Sequence, residues 1–393
     1  MKKVKLFIAI VLTLALVATI AIGCKTTATE TTAAAAETTA AAAETTAAAA
    51  ETTAAAAETT AAVKTMKASD VHLGYVIHVP VPFTDAIKRG AEAAAKDYGV
   101  SIEVVAPSKY DLMEQVSLFE GLVIKGVQGI VTVAADAQGW VVPINNAVAK
   151  GVLVYTANVG SPDSKATGHV GTAGYAEGLN LGAGLLKLPE VQALGGKGTV
   201  VVGECDPTLP VLQGRGNGVM DALKENSPDW NVLGPFDSGM SNDASYTFWE
   251  TQFSANPDMV MGIGSCAFDV PCMTRHKEKN SNAKYLIIGY DLEPDALKGI
   301  SDGIASITQG QHPFLQGYLP IAAMCEYLIN GKPLAAGWIN PGSEIVTKAN
   351  VAELSARDLD PVKELAWYED YIKKNFTPIV GKPFTEYKQT GRE

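Results

Sequence analysis

From residue 70 the apolar positions fall into a regular beat: short continuous runs alternate with longer, half-apolar stretches. The continuous runs 71–79, 100–106, 129–134 and 152–157 predict strands, and 84–98, 111–125 and 141–150 between them predict helices. The beat resumes after residue 172. Strands are predicted over 199–203, 231–236, 259–264, 285–289 and 304–308, with helices near 212–225, 243–254, 270–279 and 293–300. Runs that are apolar throughout belong to strands covered on both faces, as in a parallel sheet packed between helices. Alternation of this kind means α/β, and nine strands are too many for one short open sheet. Two doubly wound lobes fit the length.

The first 67 residues read differently. Lys2, Lys3 and Lys5 precede an apolar run, 6–22, broken only by Thr13 and Thr19, which is the build of an export signal. Ala21-Ile-Gly-Cys24 resembles the lipobox of bacterial lipoproteins, which implies a signal peptide over 1–23, cleavage before Cys24 and a diacylglycerol on its thiol. Two acyl chains hold a protein stably at a membrane, so the chain is expected outside the cytoplasm, tethered to the membrane and not spanning it. Glu30, Glu37, Glu44, Glu51 and Glu58 then recur every seven residues in the unit Glu-Thr-Thr-Ala-Ala-Ala-Ala. Ala and Thr offer no Leu/Ile seam for a coiled coil, so 24–67 is expected to be a disordered spacer with a reach of roughly 35–40 Å.

Composition narrows the function. The chain carries 31 Lys+Arg against 42 Asp+Glu, a net charge of −11, which argues against a nucleic-acid partner. No later apolar run approaches the ~20 residues needed to cross a bilayer. The sequence contains no Gly-x-x-x-x-Gly-Lys-Ser/Thr loop. Gly214-Arg-Gly-Asn-Gly218 lacks dinucleotide-loop spacing. Asp136 and Asp291 could be imagined as a glycosidase pair, but they come from different halves, and Arg215 would keep both ionised. The chain reads as no enzyme, with no cofactor and no metal: it has no Cys-x-x-Cys, and its five His are scattered.

Open parallel sheets place ligands at the carboxyl ends of their strands. Those positions hold Phe83, Asp136 with Trp140, and Asn158 in the first half. In the second they hold Glu204-Cys-Asp206, Ser265-Cys266-Ala-Phe268-Asp269, Asp291, and Gln309-Gly-Gln311-His312. Carboxylates and amides accept hydroxyl protons and rings cover apolar C–H faces, the chemistry of a neutral polyhydroxylated ligand. Trp140 fits either a ring platform or the core.

Gly-Tyr-Val-Ile…Pro-Phe83, Gly129-Ile-Val-Thr-Val-Ala-Ala-Asp136, Arg215-Gly-Asn-Gly218, Ile288-Gly-Tyr-Asp291 and Gln311-His-Pro-Phe…Gly317-Tyr resemble the ribose/galactose-type sugar-binding proteins of bacterial ABC importers, over about 70–350. The resemblance implies a periplasmic binding protein type I fold: two doubly wound parallel-sheet lobes joined by a three-strand hinge. It implies a first lobe of 70–171 plus 312–341, a second of 172–311 plus 342–376, crossings near Gly171, Gln311 and Asn340, and a tail over 377–393. It also implies a monomer that takes a small sugar and docks on an ABC permease with its ATPase. Asp136 and Asp291 would accept sugar hydroxyls, Arg215 would donate, Gln311 would bridge near the hinge and Phe83 would stack. Trp140, Asn158, Cys266, Phe268 and Asp269 complete the expected ligand set. The family commonly carries an Asn-Asp pair where this chain has Ser265-Cys-Ala-Phe-Asp269, and often an Arg where it has Asn158. In the family's strand order Cys205 and Cys266 lie side by side, so a disulfide there is open, as are a Cys266–Cys272 bridge and burial as thiols. A nucleoside or furanose signal as ligand, or a sugar-sensing role, remain alternatives.

Overall fold

The computed structural model describes residues 65–392; the signal peptide, Cys24 and all but the last residues of the repeat tract lie outside them. The chain lays down β1 (His72–Val76), α1 (Pro82–Tyr98), β2 (Ser101–Val105), α2 (Leu112–Ile124), β3 (Gly129–Thr132), α3 (Val141–Ala149), β4 (Leu153–Ala157) and β5 (Gly168–Val170). It continues with α4 (Gly174–Leu185), α5 (Pro189–Gln192), β6 (Gly198–Glu204), α6 (Pro210–Asn226), β7 (Trp230–Asp237), α7 (Asn242–Ala255), β8 (Met259–Gly264) and α8 (Asp269–Lys279). Then come β9 (Leu286–Tyr290), α9 (Pro294–Ser301), β10 (Ile307–Gly310), α10 (Pro313–Leu328), β11 (Gly337–Ile339), β12 (Glu344–Thr347), α11 (Val351–Asp358) and α12 (Pro361–Asn375).

These strands form two six-stranded sheets, ordered β11-β5-β4-β3-β1-β2 and β12-β10-β9-β8-β6-β7. Every pairing is parallel except β10 with β12. The chain therefore crosses between sheets three times: after β5, after β10 and after β11. The central strands β1 and β3 are buried nearly end to end, the burial their apolar runs imply.

Each lobe is held next to the crossings by one close helix pair. In the first, α1 lies against α10, where a Cβ added at Gly90 would meet the Phe314 carbonyl oxygen at 1.9 Å and one at Gly317 the Ile87 oxygen at 1.9 Å. In the second, α4 lies against α6, with Gly178 facing the Arg215 oxygen at 2.4 Å. Backbone meets backbone at these points, and a methyl group has no room. The pairing fixes how the N-termini of α1 and α6 enter the space between the sheets.

The structure differs from the sequence reading in several elements. Three short strands of three or four residues, β5, β11 and β12, were not predicted, because each is too short to show a period and all flank crossings. The strand expected over 304–308 starts at Ile307, since a turn through Gly303 (φ +75°) still closes α9. The last helix, expected with the second lobe, packs on the first: Tyr368 stacks on Phe314 with ring centroids 4.5 Å apart, and Glu364 pairs with Arg89 at 2.6 Å. Its Leu365, Trp367, Tyr368 and Ile372 bury an apolar stripe there, whereas Val351 and Leu354 of α11 join the second lobe's core. The final residues are no loose tail; they run along both lobes.

The α1–α10 contact yields a stability prediction. Gly90→Ala should cost about 2–3 kcal/mol by overpacking, a fall in melting temperature of about 3–5 °C for a chain this size. Gly121→Ala, on an open face of α2 where a Cβ meets nothing within 4 Å, should hold or slightly raise the melting temperature. Thermal unfolding of both variants checks the pair.

Candidate functional site

Three non-glycine residues adopt left-handed backbone: Asn158 (φ 61°), Asp291 (φ 68°) and His312 (φ 49°). Each stands where a strand ends at the space between the lobes, and each costs about 1–3 kcal/mol unless its surroundings hold it. The surroundings here are hydrogen bonds. Asp291 N–H donates to the Gln309 carbonyl (2.9 Å) and Asn158 N–H to that of Val170 (2.9 Å). The Gln311 side chain then joins them: its Nε2 donates to Asp291 Oδ1 at 2.7 Å and its Oε1 accepts from Asn158 Nδ2 at 3.1 Å. Gln316 of α10 holds the Gln311 carbonyl at 2.9 Å. One polar chain thus runs from the end of β4 in the first lobe, through the second crossing, to the end of β9 in the second.

Asp291 is buried, and burial raises its carboxyl above the usual range, opposed by the charge of Arg215 and the Gln311 hydrogen bond. Two residues on, burial pushes Glu293 up to about 7, helped by the negative charge of Asp291, while the Phe83 backbone N–H favours its ionised form from the opposite lobe. Phe83 is half-buried. With Asp291, Glu293, Gln311, His312 and Tyr368 it lines a cavity of about 280 Å³ beside the crossings. Four helix N-termini, at Pro82, Pro294, Pro313 and Pro361, open onto it.

Arg215 is buried within the second lobe. Its Nε donates to Glu177 at 3.1 Å, its Nη1 to the Ser265 carbonyl at 3.1 Å, and its guanidinium lies 4.5 Å over the Tyr290 ring. The charges of Glu177 and Asp291 outweigh burial and keep it protonated. The guanidinium therefore fixes the floor beneath Asp291. Glu177 and Glu293 are not singled out by the sequence, and Tyr290 and His312 are given no role there. Tyr290 and Glu293 flank Asp291 and could have been found there, but nothing in the sequence marks Glu177 as Arg215's partner 38 residues away.

Cys205 and Cys266, at the ends of neighbouring strands β6 and β8, are joined in a disulfide with Cα atoms 6.2 Å apart. Cys272 and Cys325 are buried thiols. The disulfide belongs to an apolar cluster that continues into the first lobe and includes Val159, with half-buried Phe83, Leu209 and Phe268 against it. Asp136 is exposed, its Oδ1 taking the Gly139 N–H at 2.9 Å. Burial raises the Tyr110 phenol, and the charges of Asp136 and Asp206, one from each lobe, add to it.

Two expected ligand residues face elsewhere. Trp140 is fully buried in the first lobe, edge-on to Phe119 at 5.2 Å, because it opens α3 on the face turned to the sheet. Asp269 is fully buried in the second lobe. It accepts from Ser245 (3.1 Å), Trp249 Nε1 (2.9 Å) and the Cys266 N–H (3.3 Å), and so ties α7 to the start of α8.

Two predictions follow from these placements. Reducing the Cys205–Cys266 bond, which closes a span of 61 residues, should lower stability by about 2–4 kcal/mol; melting with and without dithiothreitol, beside Cys205→Ser, measures it. Glu204, buried with Oε1 unpartnered, is pushed by burial up to about 7 from an ordinary 4.5. Between those values the folded chain binds more protons than the unfolded one, so stability falls as pH rises through that window. Glu204→Gln should raise the melting temperature at pH 8 and leave it unchanged at pH 4.

The profile of the periplasmic binding protein domain matches residues 75–333. The D-allose-binding periplasmic protein of Escherichia coli K12 is 25% identical over 268 residues, 64% of this chain and 82% of that protein. A xylose/arabinose-binding protein of Sulfolobus acidocaldarius is 22% identical over 294 residues, covering 70% of this chain and 71% of its own. Among solved structures, a glucose-galactose binding protein from Geobacillus stearothermophilus shares the fold with a TM-score of 0.65 at 24% identity, over 71% of this chain and 98% of that one. With two parallel α/β lobes, three crossings and a family match over more than half its length, the chain belongs to the periplasmic binding protein family.

Proposed function

We propose that the protein captures a monosaccharide between its lobes and presents it to an ABC importer, a binding role without catalysis. The observation that carries this reading is the Asn158–Gln311–Asp291 chain, which links an ionisable acceptor and two amides across both lobes, with Asp291 and Gln311 lining the cavity beside Phe83. Gln311 occupies one oxygen of Asp291; the other is the acceptor for a ligand hydroxyl. Amides supply both donors and acceptors to the ring hydroxyls, and Phe83 covers an apolar C–H face. Relatives whose names specify allose, xylose/arabinose and ribose support a sugar over other polyols.

Hydroxyls bonded to both lobes give the closed form an affinity that the open form lacks, so ligand shifts the population toward closure. The closed outline is then what a permease and its ATPase would read. The leader and Cys24 support a lipid-anchored location outside the cytoplasmic membrane.

A thermal-shift panel of D-ribose, D-allose, D-xylose, L-arabinose, D-galactose, myo-inositol and adenosine tests the reading. A cognate aldose at a hundredfold excess over Kd adds about 2.7 kcal/mol, a rise of about 3–5 °C. Asp291→Ala should weaken its binding by about 2–3 kcal/mol in calorimetry. A response to adenosine alone, or unchanged affinity in Asp291→Ala, would sink the proposal.

A further inference from the structure

The last eleven described residues touch both lobes in sequence. Lys382 pairs with Trp338 of β11, N–H to carbonyl in both directions at 2.7 Å. The Tyr387 hydroxyl meets Nε2 of buried His169 on β5 at 2.8 Å, and its ring lies against Trp338. That end sits on the first lobe. Two residues later the contacts change sides. The Gln389 carbonyl accepts from the Tyr175 N–H at 2.9 Å, the Thr390 carbonyl from Asn217 Nδ2 at 3.0 Å, and Arg392 pairs with Asp221 at 2.8 Å. Tyr175 opens α4, while Asn217 and Asp221 lie on α6. The segment therefore spans the first crossing from outside, its backbone fitted closely at both ends. An added Cβ at Gly337 would meet the Lys382 oxygen at 2.2 Å, and one at Gly214 the Gln389 oxygen at 1.7 Å.

The two ends are unequal. The first-lobe end is strand pairing plus a hydroxyl on a buried imidazole. The second-lobe end includes backbone contacts, the Arg392 guanidinium 5.9 Å over the Tyr175 ring, and an ion pair whose side chains are 53% and 31% exposed, a contact that water and salt can replace. We propose that residues 382–392 are a latch, clamped to the first lobe and releasable from the second, with Arg392 and Asp221 positioning the lobes in their closed relation. The inference goes beyond the sugar reading, since it concerns how the lobes are held whichever ligand fills the cleft. A latch that holds the lobes together with and without sugar slows both ligand escape and ligand entry.

Spin labels at exposed Lys96→Cys and Lys224→Cys in the full chain report the interlobe distance. Without sugar, a chain ending at Lys388 should show a longer and broader distance distribution than the intact chain. Its koff for D-allose should be three- to tenfold faster, and its kon no slower than that of the intact chain. Asp221→Arg should behave like the truncation, and Asp221→Arg combined with Arg392→Asp should restore the short distance. Equal melting temperatures across the set separate a latch from a folding defect. Distance distributions identical with and without the tail, an unchanged koff after truncation, or a double variant as open as the single would overturn the latch. Failure of D-allose to bind would count against the sugar reading alone, because the sugar-free distances still judge the latch.

Discussion

The side chain of Gln311 joins the strand ends of two separate sheets, and the geometry between the lobes depends on that junction. A crossing segment has no sheet neighbours of its own to satisfy its polar groups, so side chains must do it. Gln311 gives its amide hydrogen to Asp291 and its oxygen to Asn158, while Gln316 holds its carbonyl. The left-handed backbones at Asn158 and Asp291 are held because this network over-determines them. Strain gathered at the meeting of two lobes puts side chains where a regular strand end could not.

Around that junction the lobes are built to move as solid pieces. The α1–α10 and α4–α6 pairs meet backbone to backbone through glycines, leaving little room to slide. The second lobe is stiffened further by Arg215 with Glu177 beneath Asp291 and by the disulfide between adjacent strand ends. Internal change is thus suppressed in each lobe, and the remaining freedom lies in the crossings. The tail along the first crossing and α12 against α1 and α10 lie outside the sheets yet touch the elements that such a motion would displace.

The sequence made the framework legible because each central strand is buried on both faces and therefore apolar throughout. Met259–Gly264 coincides with its predicted run for that reason. β5, β11 and β12 escaped because three or four residues carry no period, and their strand state is imposed by neighbours across the crossing. The site was legible by position more than by direction. Phe83, Asn158, Asp291 and Gln311 follow strands and meet at the crossings, but so do Trp140 and Asp269, which turn into the cores. A residue just after a strand can equally well begin the next helix, and the first helical turn decides its direction. Trp140 satisfies the sheet face under α3, and Asp269 gathers three donors inside the second lobe. Arg215 marked the right neighbourhood, but its partner Glu177 lies on another helix, where local pattern carries no trace.

Charge then bears on the class of ligand. Arg215 is paired with Glu177, and Asp291 and Glu293 set two carboxyls, both lifted by burial, where the lobes meet. Burial already lifts both carboxyls, and an anionic ligand would add repulsion to that desolvation. A molecule rich in hydroxyl donors has the opposite effect: it restores to a buried carboxylate the hydrogen bonds lost with water, without adding charge. Ionisation of Asp291 and capture of a polyol therefore favour each other. On the proposed reading, hydroxyls reaching Asp291, Asn158 and Gln311 at once would draw the two lobes together.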